Sequence, residues 1–414
     1  MSDRGGPAVI VDPFSSGGLY APAFRAAGIP VVAVNARSEV LPTYLPTYHP
    51  EDFDQVLAHD GDLDALLERL RPLGPRCVLP GAESGVELAD LLAAALTPEQ
   101  SNVPGLAAAR VHKGEMAAAA RAAGLPVIRQ ITTDDPEEAA RWLERNDLIG
   151  HDLVVKPPRS ASTDGVTRVR ENWREVFEEQ LGRANQWDVV NEKMMLMEYA
   201  TGTEYVVDVF SHDGRHTVTD VCRYGKVDNG AHMAVYDSME WVAPDDPVTG
   251  PLIDYTRRFL DGVGFRYGAA HVELMLTADG PRLIELNARP HGGGQPRYCR
   301  AATGDSQIDR AVRLASGGGP LPDGYRLDAA TVVVFLISRT AGVVGNTACF
   351  EELRTLESYH EHVLGIRDGD RLVVTKDLLT TLGLGFVVLS SPDREQVWKD
   401  YDRVREIERG LTVS

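Results

Sequence analysis

Short apolar runs alternate with helix-length stretches over the first hundred residues. Ala8-Val9-Ile10-Val11 is predicted as a strand, Asp12 to Gly18 as a turn, Leu19 to Ala27 as a helix and Pro30 to Val34 as a second strand. The pattern continues through a helix at Leu63–Leu73, a strand at Cys77-Val78-Leu79 and a helix from Gly85 to Leu96, which together predict a parallel sheet. After Gly105 the chain becomes helix-rich through Leu143, with strands near Val127 and Val154. Strand pairs follow: Met194 to Ala200 with Glu204 to Val209, then Val272 to Leu276 with Arg282 to Leu286. The stretch Val221 to His232 between them reads as a loop, and Thr249 to Gly262 as an amphipathic helix facing the core. Gly317-Gly318-Gly319-Pro320 with Pro322-Asp323-Gly324 marks a boundary. Beyond it come strands at 330–337, 343–344, 372–374 and 385–389 and a helix from Pro392 to Arg409. The expected class is mixed α/β in three units, 1–105, 106–320 and 321–414.

The pair around residue 280 carries the most chemistry. Thr277-Ala278-Asp279-Gly280 interrupts two apolar runs and predicts an antiparallel hairpin. Glu285 and Asn287 are two apart and share a face of their strand. A turn centred on Ala278-Asp279 places Glu273 opposite Glu285. Carboxylates facing each other repel, and a hard divalent cation such as magnesium, which takes carboxylate and carbonyl oxygens, would give the protein a reason to keep them. Ordinary solvated glutamates are the alternative. Upstream, the apolar strand Asp152 to Lys156 ends in a lysine and leads into Arg159-Ser160-Ala161-Ser162-Thr163-Asp164-Gly165-Val166. Small residues let backbone amides approach a phosphate, and Gly165 can take positive φ, although such residues are also the ordinary composition of turns. Glu198 and Glu204, six positions apart across a break at Gly202, would suit a nucleoside; a hairpin with water-facing glutamates is the plainer reading.

Taken in order, these elements resemble the ATP-grasp superfamily, and the resemblance covers most of the chain. It implies that Lys113, at the head of an alanine-rich helix, and Lys156 hold the phosphates of ATP; Ser160, Ser162, Thr163 and Gly165 are the loop candidates, by their size and hydroxyl groups, for binding beside them. It also implies that Glu198, Tyr199 and Ala200 line the adenine and that Glu204 binds the ribose. Glu273, Glu285 and Asn287 would hold magnesium, or manganese in its place, and Arg289 would be catalytic, steadying the transferred phosphate or an acyl-phosphate. Asn287-Ala288-Arg289-Pro290-His291-Gly292-Gly293-Gly294 is similar to the L-amino acid ligases and related carboxylate–amine ligases. The chain departs from many of these at Ala161 and Ser162, where an extra glycine is usual, which bears on loop mobility. The implied fold is a Rossmann-like domain (1–105), an ATP-grasp domain (106–320) and a small β-rich C-terminal domain (321–414) over the site. The implied reaction joins a carboxylic acid to an amine, both amino acids, through an acyl-phosphate, as in secondary metabolism. Bicarbonate-dependent or purine-type ATP-grasp chemistry, a kinase and a non-catalytic nucleotide-binding module are the rivals.

Candidate substrate residues are less defined. Glu83 follows a strand's carboxyl end, where α/β sheets open their ligand crevice; it either caps the next helix, the more ordinary role, or faces a substrate amine. Arg223, Lys226, His232 and the nearby Tyr236 could recognise a carboxylate from a loop, or that loop is simply solvated. His291 and Gly293 adjoin Arg289; a lone loop histidine is more often a neutral hydrogen-bonding group.

Composition excludes several classes. A net charge of −19 over 414 residues argues against a nucleic-acid surface. Four scattered cysteines suggest reduced thiols in a cytoplasm rather than a zinc cluster or disulfide framework. The N-terminus shows no signal-like apolar region, and no segment reaches membrane-spanning length. A homodimer would be the commonest assembly. Ser15-Ser16-Gly17-Gly18 lacks the GxGxxG spacing of a dinucleotide fingerprint and reads as a structural turn or a substrate edge. His360-Glu361-His362 is set aside as a zinc motif because its histidines would diverge on a helix, and His271-Val272-Glu273 because no Pro-Cys-x-x-Cys follows.

Overall fold

The computed structural model describes residues 5–160, 164–185, 189–229 and 232–414, without the side chains of Thr43 and 232–234. Its first sheet is parallel, in the order Gln55–Ala58, Val31–Asn35, Ala8–Val11, Cys77–Pro80. Val9, Val11, Val32 and Val34 pack under Leu66, Leu67, Leu70, Leu88 and Leu92 of helices Leu63–Leu70 and Val86–Leu96. Ala8, Ile10, Val31 and Ala33 turn to the other face, against Tyr20 and Phe24. Burial on both faces is what continuous apolar strands in a parallel sheet require. Phe210, Tyr267 and Ile308 join that second face and tie this unit to the rest of the chain. The strand Gln55–Ala58 is not among those the apolar pattern predicts; it sits at the sheet edge with Gln55 and Val56 exposed, so it lacks the apolar run of its neighbours.

An antiparallel sheet follows, ordered Gln130–Thr133, Met194–Glu198, Leu153–Lys156, Thr167–Val169. Helices Pro136–Arg145 and Trp173–Gln180 cover it through Leu143 and Phe177. The strand expected near Val127 begins three residues later, and Val127 makes only an isolated bridge to Leu283. Met194–Glu198 and Thr203–His212 are not a hairpin, because the chain passes at Gly202 from this sheet into a larger one.

The large sheet has eight strands in the order Gly280–Asn287, Gly268–Thr277, Thr203–His212, Arg215–Asn229, His232–Trp241, Ala330–Phe335, Gly385–Ser391, Tyr359–Leu364. Its alternation sorts side chains cleanly. Tyr205, Val207, Val209, Val221, Val272, Leu274 and Leu286 pack against Leu252, Tyr255 and Phe259 of the helix Thr249–Gly262. Val206, Cys222, Tyr224, Tyr236 and Met239 face the other way, towards Tyr298 and Cys299 of the helix Gln295–Thr303. Of Val221 to His232, expected as a loop, the described residues 221–229 and 232 instead belong to two long paired strands with register shifts after Gly225 and Val227. Glycine and polar residues there mark bulges in a ribbon rather than a departure from it. Three strands beyond residue 320 continue the same sheet. A helix at Arg394–Glu408 and a small sheet of Arg371–Leu372, Gly342–Gly345 and Thr412–Val413 complete the C-terminal segment. His360 and His362 lie on a strand, not a helix, and His362 Nδ1 is 3.0 Å from the Tyr359 hydroxyl.

Candidate active site

The hairpin of Gly268–Thr277 and Gly280–Asn287 sets Glu273 directly opposite Glu285 and His271 opposite Asn287. Thr203–His212, on the other side of Gly268–Thr277, places Asp208 opposite His271. Residues two apart on each strand share one face, so Glu204, Asp208, His271, Glu273, Glu285 and Asn287 form a polar row on the face away from the helix Thr249–Gly262.

Each carboxylate in and beside this row meets a cation. Lys113 Nζ lies 3.0 Å from Glu285 Oε2 and also donates to the Ser160 carbonyl. Burial alone would raise the Glu285 carboxyl, but Lys113 and Lys156 outweigh it and hold the group down at about 2. Burial and the nearby Lys113 charge lower the Lys156 ammonium to about 8. Asn287 donates to Glu285 Oε1 at 3.1 Å, and Arg289 Nη2 donates to Asn287 Oδ1 at 2.9 Å. Arg289 Nε is 3.5 Å from Glu83 Oε2, and burial lifts the Glu83 carboxyl to about 7 against the pull of Arg289. Lys226 Nζ lies 2.7 Å from Glu204 Oε2 and 4.3 Å from the centre of the Tyr236 ring.

Several sequence expectations change here. Glu83 is not a side-chain cap: it opens a 3-10 turn ahead of Val86–Leu96, whose N-cap is Gly85, and its carboxylate turns to Arg289. Arg223 does not join Lys226. It is register-opposite Tyr205 and Glu240, one residue off the polar row, so it points through the opposite face and pairs with Glu240. His291 agrees with the hydrogen-bonding reading: its Nδ1 lies 2.7 Å from Asp208 Oδ2 and its Nε2 3.1 Å from the Tyr224 hydroxyl. Burial and the neighbouring His271 charge lower its pKa. Ser162 and Thr163, and the side chain of His232, lie outside the described residues. Gly165 has the positive φ expected of it, +70°, with the Pro157 ring 2.8 Å from where a Cβ would stand.

At the nucleoside end, Glu198 makes a two-pronged pair with Arg129 at 2.7 and 2.9 Å, and Arg168 stacks 4.1 Å over the Tyr199 ring. Ala200 follows in the crossing segment. Gly293 and Gly294 donate their amides to Ser15 Oγ at 3.1 Å and Ser16 Oγ at 2.9 Å, so the first turn of the chain grips the loop beyond Arg289. Asp208 and Tyr224 were not singled out from the sequence. Asp208 carried a signal, an acid four residues past Glu204 in an otherwise apolar strand.

Glu273, Glu285 and Asn287 in this row offer oxygen ligands, which suit a hard cation. Two oxygens in and beside it, Glu204 Oε1 and Glu83 Oε2, are buried without a hydrogen-bond partner. A divalent ion with bound phosphates fits this chemistry.

The ATP-grasp domain family matches residues 149–296. Dapdiamide A synthase of Enterobacter agglomerans is 31% identical over 317 residues, 74% of this chain and 72% of that enzyme. D-alanine–D-alanine ligase of Corynebacterium glutamicum is 30% identical over 181 residues, 41% of this chain and 48% of the ligase. The fold matches the crystal structure of an L-amino acid ligase from Bacillus licheniformis with a TM-score of 0.74 at 17% identity over 99% of both chains. The chain belongs to the ATP-grasp superfamily. It is an enzyme of that group, an ATP-dependent carboxylate–amine ligase that forms a carbon–nitrogen bond. No helix among the described residues is long and apolar enough to cross a membrane.

Proposed function

We propose that the polar row on the large sheet is where ATP activates an amino acid carboxylate for attack by the amine of a second amino acid, giving a dipeptide-like amide. The observation that carries this reading is the pairing of Glu273 with Glu285 across one hairpin, with Lys113 on Glu285 and Arg289 on Asn287. Glu273, Glu285 and Asn287 would hold magnesium or manganese. When bound, such an ion neutralises phosphate charge and leaves the terminal phosphorus open to a nucleophile. Lys113 and Lys156 take the phosphates, Ser160 and Gly165 shape the loop over them, Glu204 takes the ribose hydroxyls, and Glu198 to Ala200 line the base.

A carboxylate is a poor electrophile, and this arrangement removes that obstacle in two displacements. The substrate carboxylate oxygen attacks the terminal phosphorus as its bond to ADP breaks, and the lysines stay with the leaving diphosphate. Arg289 faces the charge on the transferred group. The amine then attacks the acyl carbon, the bond to phosphate breaks, and the nitrogen sheds a proton. Glu83, beside Arg289, would receive a substrate ammonium group, and Lys226, paired with Glu204, a substrate carboxylate. Similarity to dapdiamide A synthase over most of both chains supports amino acid substrates and a role in secondary metabolism. Four free cysteines, three of them buried, support a cytoplasmic setting.

The test is magnesium-dependent ADP release against a matrix of amino acid pairs and small carboxylic acids, with mass spectrometry of each positive well. The reading expects a product lighter than the summed substrates by one water. ADP release that requires bicarbonate and ignores amino acids would replace it with the carboxylase reading.

A further inference from the structure

Asp208, His271 and His291 form a fully buried group whose ligand-type atoms lie within 4.8 Å of one another. Such a set invites a metal ion, but its spacing argues for hydrogen bonds. His271 Nδ1 is 2.8 Å from Asp208 Oδ1 and His291 Nδ1 is 2.7 Å from Asp208 Oδ2. Two ligands at tetrahedral positions about 2.0–2.1 Å from one ion would stand roughly 3.3 Å apart. Each imidazole therefore gives its Nδ1 proton to one oxygen of the same carboxylate, which fixes where each Nε2 points. For His271 that direction is Glu273, whose Oε1 lies 3.1 Å away. For His291 it is the Tyr224 hydroxyl. The His271 ring thus has a carboxylate oxygen at both nitrogens and donates to both.

We propose that His271, oriented by Asp208, is a positioning residue that holds the Glu273 carboxylate in the orientation needed to take the metal ion, with Asp208 tying the same ion site to the Arg289 loop through His291. The second oxygen of Glu273 is left for the ion, as in metal sites where an outer hydrogen bond orients the inner ligand. Asp208 can do this because register places it directly opposite His271 on the neighbouring strand, with both side chains buried. His291 reaches the same carboxylate from the segment two residues past Arg289, so movement of that loop and rotation of Glu273 share one anchor. This inference rests on the assignment of Glu273 to the metal.

The experiment is Mn2+ binding to the full-length protein in the presence of a non-hydrolysable ATP analogue, followed by electron paramagnetic resonance. Four proteins are compared: wild type, Glu273→Gln, His271→Asn and His271→Gln. An Asn amide nitrogen reproduces Nδ1 and keeps the Asp208 bond only, whereas a Gln amide nitrogen reproduces Nε2 and keeps the bond to Glu273. The expected result is a Kd for Mn2+ raised about 10- to 100-fold in His271→Asn, with much of that loss recovered in His271→Gln. Equal affinities in the two variants, or His271→Asn within about twofold of wild type while Glu273→Gln loses the ion, would overturn the inference and leave the metal assignment standing. Wild-type affinity in Glu273→Gln would remove the metal assignment itself. Should a histidine variant fail to fold, histidine-labelled wild type answers the same question by NMR. The Nε2 proton of His271 should shift on addition of Mg2+ and analogue while the Nδ1 proton stays, and an unmoved Nε2 signal contradicts the proposal.

Discussion

The phosphate end and the nucleoside end of the site are built differently. At the phosphate end Lys113, Lys156 and Asn287 are buried, and Glu285 is nearly so, with its oxygens committed to Lys113 and Asn287. At the nucleoside end the Glu198–Arg129 pair is bidentate but its side chains remain 33% and 47% exposed. Removing one partner from a buried charged set leaves the other uncompensated in a poorly solvated place, while a half-exposed pair is screened by water. The first end should therefore be intolerant of change and decisive for chemistry, and the second should tune affinity.

The largest expected effect is at Glu285→Ala, which strips Lys113 of its partner and the proposed ion of a ligand. ADP formation should fall about 10²- to 10³-fold, with magnesium no longer restoring it. Full ATP turnover in that variant would erase the distinction between the two ends. Arg289→Lys keeps the charge but not the planar fork, so kcat should drop more than KM rises, by about tenfold or more. Next comes pH. Lys156 is charged only below about 8 in the ligand-free protein, so kcat/KM for ATP should decline as pH rises through that value. Lys156→Arg should remove this alkaline limb while leaving the acid limb. On the acid side Glu83 is ionised only above about 7, so affinity for the amino acid ammonium should weaken as pH falls through 7. Glu198→Gln should change KM for ATP by no more than about threefold and cost less than about 1 kcal/mol in stability. Smallest of all, Arg223→Ala should leave turnover within about twofold, because its side chain leaves by the far face of the sheet.

What the sequence made legible follows from the same contrast. Strands alternate sides with period two, so the Glu273–Glu285 pairing could be read from a four-residue turn, and the structure has that register. Contacts between distant strands could not be read this way. Asp208 and His271 are 63 positions apart and meet only because Thr203–His212 lies beside Gly268–Thr277 in the large sheet. The strand carrying Lys226 reads as a loop because Gly225, Asp228 and Asn229 are turn-type residues, here absorbed in a paired ribbon with register shifts after Gly225 and Val227. That error hid the face rule separating Lys226 from Arg223. For Glu83 capping is the more ordinary of two readings because local helix chemistry is visible in a sequence, whereas its contact with the distant Arg289 is not.

The most direct test of the central claim uses an amino acid substrate labelled with 18O in both carboxylate oxygens, turned over with ATP and its partner amine. Attack of that carboxylate on ATP predicts one 18O atom in each phosphate released and one retained in the amide. Phosphate without label, with ADP formed at the same rate, would contradict activation of the carboxylate on this face of the sheet.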